Sequence, residues 1–150
     1  MEVTLTLALP RDHLSVPLAR RILKRSLETL GIADETIGDI ELALTEACTN
    51  VLDHAVGDDD YTVRAGIDGR VCVIEVVDRG HGFDGSQHGL IDAEHGAEEG
   101  RGVQLMRALV DRLEFQSLPT EGTVVHLEKK LDWAPDAPIA KLDGSTRQPR

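Results

Sequence analysis

The order of hydrophobic periods along the chain predicts an α/β protein: strand, two helices, a hairpin, a third helix and two closing strands. Three observations carry that reading. Val3, Leu5, Leu7 and Leu9 alternate with smaller or polar residues as far as Pro10, the pattern of a strand with one buried face. Apolar residues then recur at three- and four-residue steps through 12–30 and 34–56, the period of two helices. Finally, Asp68 and Gly69 join "YTVRAGI" to "RVCVIEVVD", and a DG pair between two β-rich runs signals a hairpin.

The first helix is expected to bury Leu14, Leu18, Ile22, Leu23, Leu27 and Leu30, with Ser15 and Pro17 near its start and Gly31 at its end. Its other side carries Arg20, Arg21, Lys24 and Arg25, a basic cluster that reads equally as a solvated helix face or as a surface that steers an acidic partner. The second helix buries Ile37, Ile40, Leu44, Ala47, Cys48, Val51 and Ala55. A third helix is expected over 101–112, and strands over 113–117 and 122–130 are joined by "PTEG". After Leu131 the tail has three prolines and no sustained period, so 1–131 is expected to be the domain and 132–150 a disordered extension.

At 150 residues the chain is long enough for one self-sufficient core. Cys48 and Cys72 fall inside apolar-periodic segments, where a free cysteine packs as a small hydrophobe, so a reducing compartment is expected. No basic leader with a continuous apolar stretch opens the sequence. No run reaches the roughly 18 apolar residues of a membrane span, so a soluble cytoplasmic protein is expected. Sixteen basic against 27 acidic residues give a net charge of −11, which disfavours nucleic acid and anionic membrane as partners. An anionic substrate would need a local device such as backbone N–H groups, a helix N-terminus or a metal ion.

Several constellations could supply chemistry. In "LTEACTNVLDHA" Glu46, Asn50 and His54 are four apart and share one helix edge, beside the apolar face; on periodicity alone they are solvated surface residues. In "DRGHGFDG" an acid, Asp78, closes an apolar strand and Gly80 and Gly82 follow, an arrangement that admits a flat ligand or simply makes a turn. Seven of the 14 glycines fall between Gly80 and Gly102, and Gly100 and Gly102 open a helix whose first N–H groups can hold phosphate oxygens or be ordinarily capped. Neither common phosphate-loop spacing is present. His81, His88 and His95 lie seven apart in the glycine-rich stretch with no Cys companion, a poor metal set.

In combination these motifs are specific. "EACTN" on a helix, "DRGHG" after a strand, "GRGVQLM" opening a helix and "EGT" before a final strand resemble the N, G1, G2 and G3 boxes of the GHKL, or Bergerat-fold, ATPases, over about Glu41 to Lys130. "LALTEACTNVLDHA" and "LMRALVDRLEF" are most similar to the serine-kinase anti-sigma factors of that superfamily. The resemblance implies a two-layer α+β sandwich, a mixed and mainly antiparallel sheet covered on one face by helices. It implies ATP and Mg²⁺ as cofactors, Glu46 as general base and Asn50 as the Mg²⁺ ligand. Asp78 would accept the adenine amino group, with Gly80 and Gly82 making room for the ring and Thr123 in support. Gly100 and Gly102 would bring N–H groups to the phosphates, Arg101 would be the nearest cation for them, and 84–99 would be a closing lid. Partners would be an anti-anti-sigma factor, as phosphorylation substrate, and a sigma factor, with room for a homodimer.

The lid segment departs from this pattern, for it has no Lys or Arg and five acids. That keeps a second expectation open, a regulatory binding module that uses nucleotide without significant kinase activity. Histidine kinases and the gyrase and mismatch-repair ATPases fit less well: the former usually lack an acid at the place of Glu46, and both need further domains.

Overall fold

The computed structural model describes residues 2–54, 60–78, 100–118 and 122–142; the side chains of Glu2, His54 and Leu118 fall outside it. The alternating segment forms β1 (Glu2–Leu9), and Pro10, which has no N–H to continue a ladder, follows its last residue. β2 (Tyr61–Asp68) and β3 (Val71–Asp78) make the expected hairpin, whose turn is allowed by Gly69 at φ 60°. With β4 (Arg112–Leu118) and β5 (Gly122–Lys130) they build one sheet in the order β1-β2-β3-β5-β4, every adjacent pair antiparallel. The expected mixed sheet is thus wholly antiparallel among the described strands.

Helices α1 (Ser15–Leu30), α2 (Asp34–His54) and α3 (Gly100–Leu109) cover one face, with α2 between the other two. Odd-numbered β2 residues Tyr61, Val63, Ala65 and Ile67 point into this layer, and so do Cys72, Ile74, Val76 and Asp78 of β3. From α2 come Ile37, Ile40, Ala43, Leu44, Ala47, Cys48 and Val51, all nearly or fully buried. Lys129 ties the layers together, donating to Asp39 Oδ2 at 3.0 Å and to the Leu109 carbonyl at 2.7 Å. The opposite sheet face is polar, with Arg64, Glu75, Arg112, His126 and Glu128 linked by ion pairs.

Two expectations need correction. Leu14 and Leu18 do not enter the core: they are 79% and 50% exposed, and Val16, Ala19, Leu23 and Leu27 form the buried stripe instead. A helix of 16 residues against one sheet buries a narrow arc, and the two leucines lie opposite its centre. The extension after Leu131 is not disordered over residues 132–142. Trp133 bridges to Ile32, its ring lies under the Arg70 guanidinium, and α4 (Pro138–Leu142) buries Ile139 and Ala140. Gly31 makes that docking feasible. Its φ of 84° ends α1, and a Cβ there would stand 2.8 Å from Ala137 Cβ. Residues 143–150 lie outside the described residues.

Candidate nucleotide site

One cross-strand row at an end of the sheet holds four consecutive partners: Leu9, Tyr61, Asp78 and Thr123. Directly opposed residues of an antiparallel sheet share a face, so Tyr61, Asp78 and Thr123 all turn toward the helices. Asp78 is fully buried and Thr123 is 1% exposed. The Thr123 hydroxyl oxygen has no hydrogen-bond partner among the described residues. A buried hydroxyl beside a buried carboxylate is costly unless something else completes the set.

The structure adds a residue that the motifs missed. Arg11, just after Pro10, donates from Nη2 to Asp78 Oδ1. Its loop is firmly built: the Asp12 N–H donates to the Pro10 carbonyl and the Leu14 N–H to Asp12 Oδ1, each at 2.8 Å. Ser15 Oγ donates to the Asp12 carbonyl at 2.6 Å and lies 2.5 Å from the Tyr61 hydroxyl. Burial pushes the Tyr61 phenol up to about 12, although the Ser15 bond works the other way. Burial likewise pushes the Cys48 thiol up to about 12 against the lowering effect of its bond with Tyr61, so Cys48 is core and not a nucleophile. The only trace of Arg11 in the sequence is a cation two residues beyond a half-buried strand, which is not distinctive.

Glu46 and Asn50 stand one turn apart on α2, as their spacing implies. Asn50 is 9% exposed, and its Oδ1 is buried with no hydrogen-bond partner among the described residues. Such an oxygen fits a hard cation, which takes carbonyl oxygens as ligands. Glu46 is half-buried and faces the first turn of α3, where Gly102 leaves just enough room for its carboxylate. Gly100 is buried as the first residue of α3, and Arg101 is exposed. The helix start thus lies against α2 on the side that bears Glu46, and the first N–H groups of a helix, which have no partner within it, are suited to anionic oxygens.

Gly80, Gly82, the lid segment 84–99 and the three histidines at 81, 88 and 95 lie outside the described residues, as does the side chain of His54. Among the described residues no cluster of His, Cys, Asp and Glu could hold a metal ion by itself. Nor is any helix among them long and apolar enough to cross a membrane.

Comparison with known proteins identifies the family of the chain. A family model described as histidine kinase-like ATPase domain matches residues 9–129. The chain is 31% identical over 136 residues to the serine-protein kinase RsbW of Bacillus velezensis, covering 83% of each chain. It is 32% identical over 117 residues to the anti-sigma F factor of Thermoanaerobacter sp. strain X514, covering 74% of this chain and 82% of that one. Among solved structures, that of the RsbU and RsbW domains of a Mycobacterium tuberculosis protein superposes with a TM-score of 0.67 at 22% identity. The match covers 86% of this chain and 32% of that one, and it speaks for the fold alone.

Proposed function

The chain belongs to the histidine kinase-like ATPase family, and from that premise we propose that it is an ATP- and Mg²⁺-dependent protein serine/threonine kinase of a partner-switching pathway. Its substrate would be a protein of the anti-anti-sigma type, and a sigma factor would be the protein it sequesters, in keeping with the names of its relatives. Two buried free cysteines support a cytoplasmic setting.

The observation that carries the proposal is the pairing on α2. Glu46 stands against the helix start that would face the phosphates, while Asn50, one turn on, keeps a buried oxygen without a partner among the described residues. Asn50 would hold Mg²⁺, which supplies charge neutralisation to the phosphate oxygens when bound. Glu46 would accept the proton of the attacking serine or threonine hydroxyl. Asp78 and Thr123 would hold the adenine edge, and the N–H groups near Gly100 and Gly102 would meet phosphate oxygens.

The test is incubation of the purified protein with labelled ATP, Mg²⁺ and candidate partners of the anti-anti-sigma type. Phosphate transfer to a partner is expected, and Asn50→Ala should weaken Mg-ATP binding itself, read by calorimetry. One observation favours the second reading, a nucleotide-dependent binding module: 84–99 offers five acids and no cation to a triphosphate, and Arg101 points to solvent. Binding of Mg-ATP without transfer to any matched partner would select it.

A further inference from the structure

We propose that Lys129 is a positioning residue of this site: by holding the end of α3 against α2 it sets the register in which Gly102 meets Glu46, an inference that deepens the kinase reading above and rests on it. Lys129 lies opposite Cys72 across the β3–β5 ladder, so its side chain leaves the sheet on the face that the helices cover. Val125 and Leu127 precede it on that face, both buried, and an apolar residue is what such a row ordinarily places next. Instead the row ends in an amine that is only 19% exposed.

Two helices meet at its nitrogen. Asp39 Oδ2, on the second turn of α2, accepts from it at 3.0 Å, and the carbonyl of Leu109, the last residue of α3, at 2.7 Å. The last carbonyls of a helix have no partner within it, and a cation is the favourable charge at that end. Two further bonds fix the chain just beyond α3 to β5: the Asp111 N–H donates to the Glu128 carbonyl at 2.9 Å, and the Lys130 N–H to Asp111 Oδ2 at 2.7 Å. Lys129 adds α2 to that anchor.

The register follows from the spacing. Asp39 and Glu46 are seven residues apart on α2, and Gly102 and Leu109 are seven apart on α3, so the two helices run antiparallel with the Lys129 tie two turns from the Glu46–Gly102 contact. Two turns are about 10 Å along the axis. At the Glu46 end position 102 has no side chain with which to adjust the gap, so the gap is fixed from elsewhere. A helix of ten residues with no proline inside it moves as one piece, and a slide at Leu109 arrives at Gly102. Misplacing a reacting group by about 1 Å can cost ~10²-fold in rate, so a tie that touches no nucleotide still bears on the chemistry.

The experiment has two arms, both on the full chain. The first is a double-mutant cycle between Lys129→Met and Gly102→Ala, read as thermal midpoints without nucleotide. With α3 tied, a methyl at 102 presses on Glu46; with the tie removed, α3 can yield, so Gly102→Ala should be more favourable by about 2 °C or more in Lys129→Met than in wild type. Sites about 10 Å apart normally act additively, and a Lys129 that only stabilises its surroundings gives the same shift in both backgrounds. That result overturns the proposal. The second arm is single-turnover transfer to a matched partner, beside calorimetry of Mg-ATP. Lys129→Met should lower transfer about tenfold and affinity no more than about threefold, and Lys129→Arg, which keeps a donor, should return transfer to within about threefold of wild type. Wild-type transfer by Lys129→Met overturns the proposal too. If Lys129→Met fails to fold, Asp39→Ala removes the α2 side of the tie and takes its place in both arms. A wild type that transfers phosphate to no partner is the failure of the kinase reading and takes the catalytic consequence with it, whereas the cycle needs no nucleotide and still decides the register.

Discussion

Gly102 and Glu46 meet across the α2–α3 interface: a Cβ at position 102 would stand 3.0 Å from Glu46 Oε2. The glycine is therefore a spacer for the carboxylate as well as a source of a backbone N–H. Any side chain there must move the acid.

The two residues should separate chemistry from binding. Glu46→Gln keeps the size of the side chain and removes its basicity, so phosphotransfer should fall about 10²–10⁴-fold while Mg-ATP still binds. Gly102→Ala pushes the carboxylate by a few tenths of an ångström and should cost about tenfold, since small misplacements of a reacting group are expensive. Single-turnover transfer to a matched partner, beside calorimetry of Mg-ATP, reads both. A Glu46→Gln protein that transfers at the wild-type rate would remove the general base from this site.

Asp78→Asn should lower ATP affinity by about 1–3 kcal/mol, the usual loss for a charged hydrogen bond. It should also lower thermal stability, because Arg11 would then be held against an amide in a buried position. Unchanged affinity together with a lowered melting temperature would assign Asp78 to the fold alone.

Truncation after Leu131 should destabilise the domain. Trp133 at 7% and Ile139 at 0% exposure are lost from the core, and two such side chains contribute roughly 3 kcal/mol or more, about 10 °C in melting temperature. Truncation after Leu142 is the control for the remaining residues. A melting temperature unaffected by the longer deletion would mean that the docked segment adds nothing.

His126 should give stability a pH dependence of definite sign. Burial works against its charged form, but hydrogen bonds with Glu128 and Glu75, at 2.7 and 3.2 Å, outweigh it and raise the pKa above 6.5. A group whose folded pKa is raised contributes stability that is fully present below its unfolded pKa and fades as pH rises through the folded one. Denaturant unfolding from pH 6 to 9 should therefore show a falling component that His126→Gln removes. Parallel profiles for the two proteins would discount it.

β1 was legible from its period of two and the β2–β3 hairpin from its DG turn, and β1 and β5 fall at the residues the sequence implies. That Glu46 and Asn50 share one edge of α2 was legible because spacing fixes a helix edge, whereas their assignment to a site came from the resemblance of the "EACTN" box. Arg11 was not, since its pairing with Asp78 spans 67 residues and depends on how a short loop is tied to Tyr61. Leu14 and Leu18 misled because helical spacing gives the width of an apolar stripe but not which edge of it faces a sheet. The docked extension was hidden by prolines. Trp133, Ala137 and Ala140 do recur at i, i+4 and i+7, but so short a segment falls below the length at which a period persuades.

The stacking of Trp133 on Arg70 has a practical corollary. Arg70 sits at the hairpin tip and Asp78 at the far end of β3, so the seven residue steps between Val71 and Asp78 separate them by roughly 23 Å at the usual strand rise. The docked segment and the candidate nucleotide site thus occupy opposite poles of the sheet. Lys141, exposed on the last helix of that segment, offers an attachment point for a fluorophore or surface linker on the back of the molecule. Immobilised there, the protein would present the pole of the candidate site to solution, where nucleotide and a proposed partner can be added in either order.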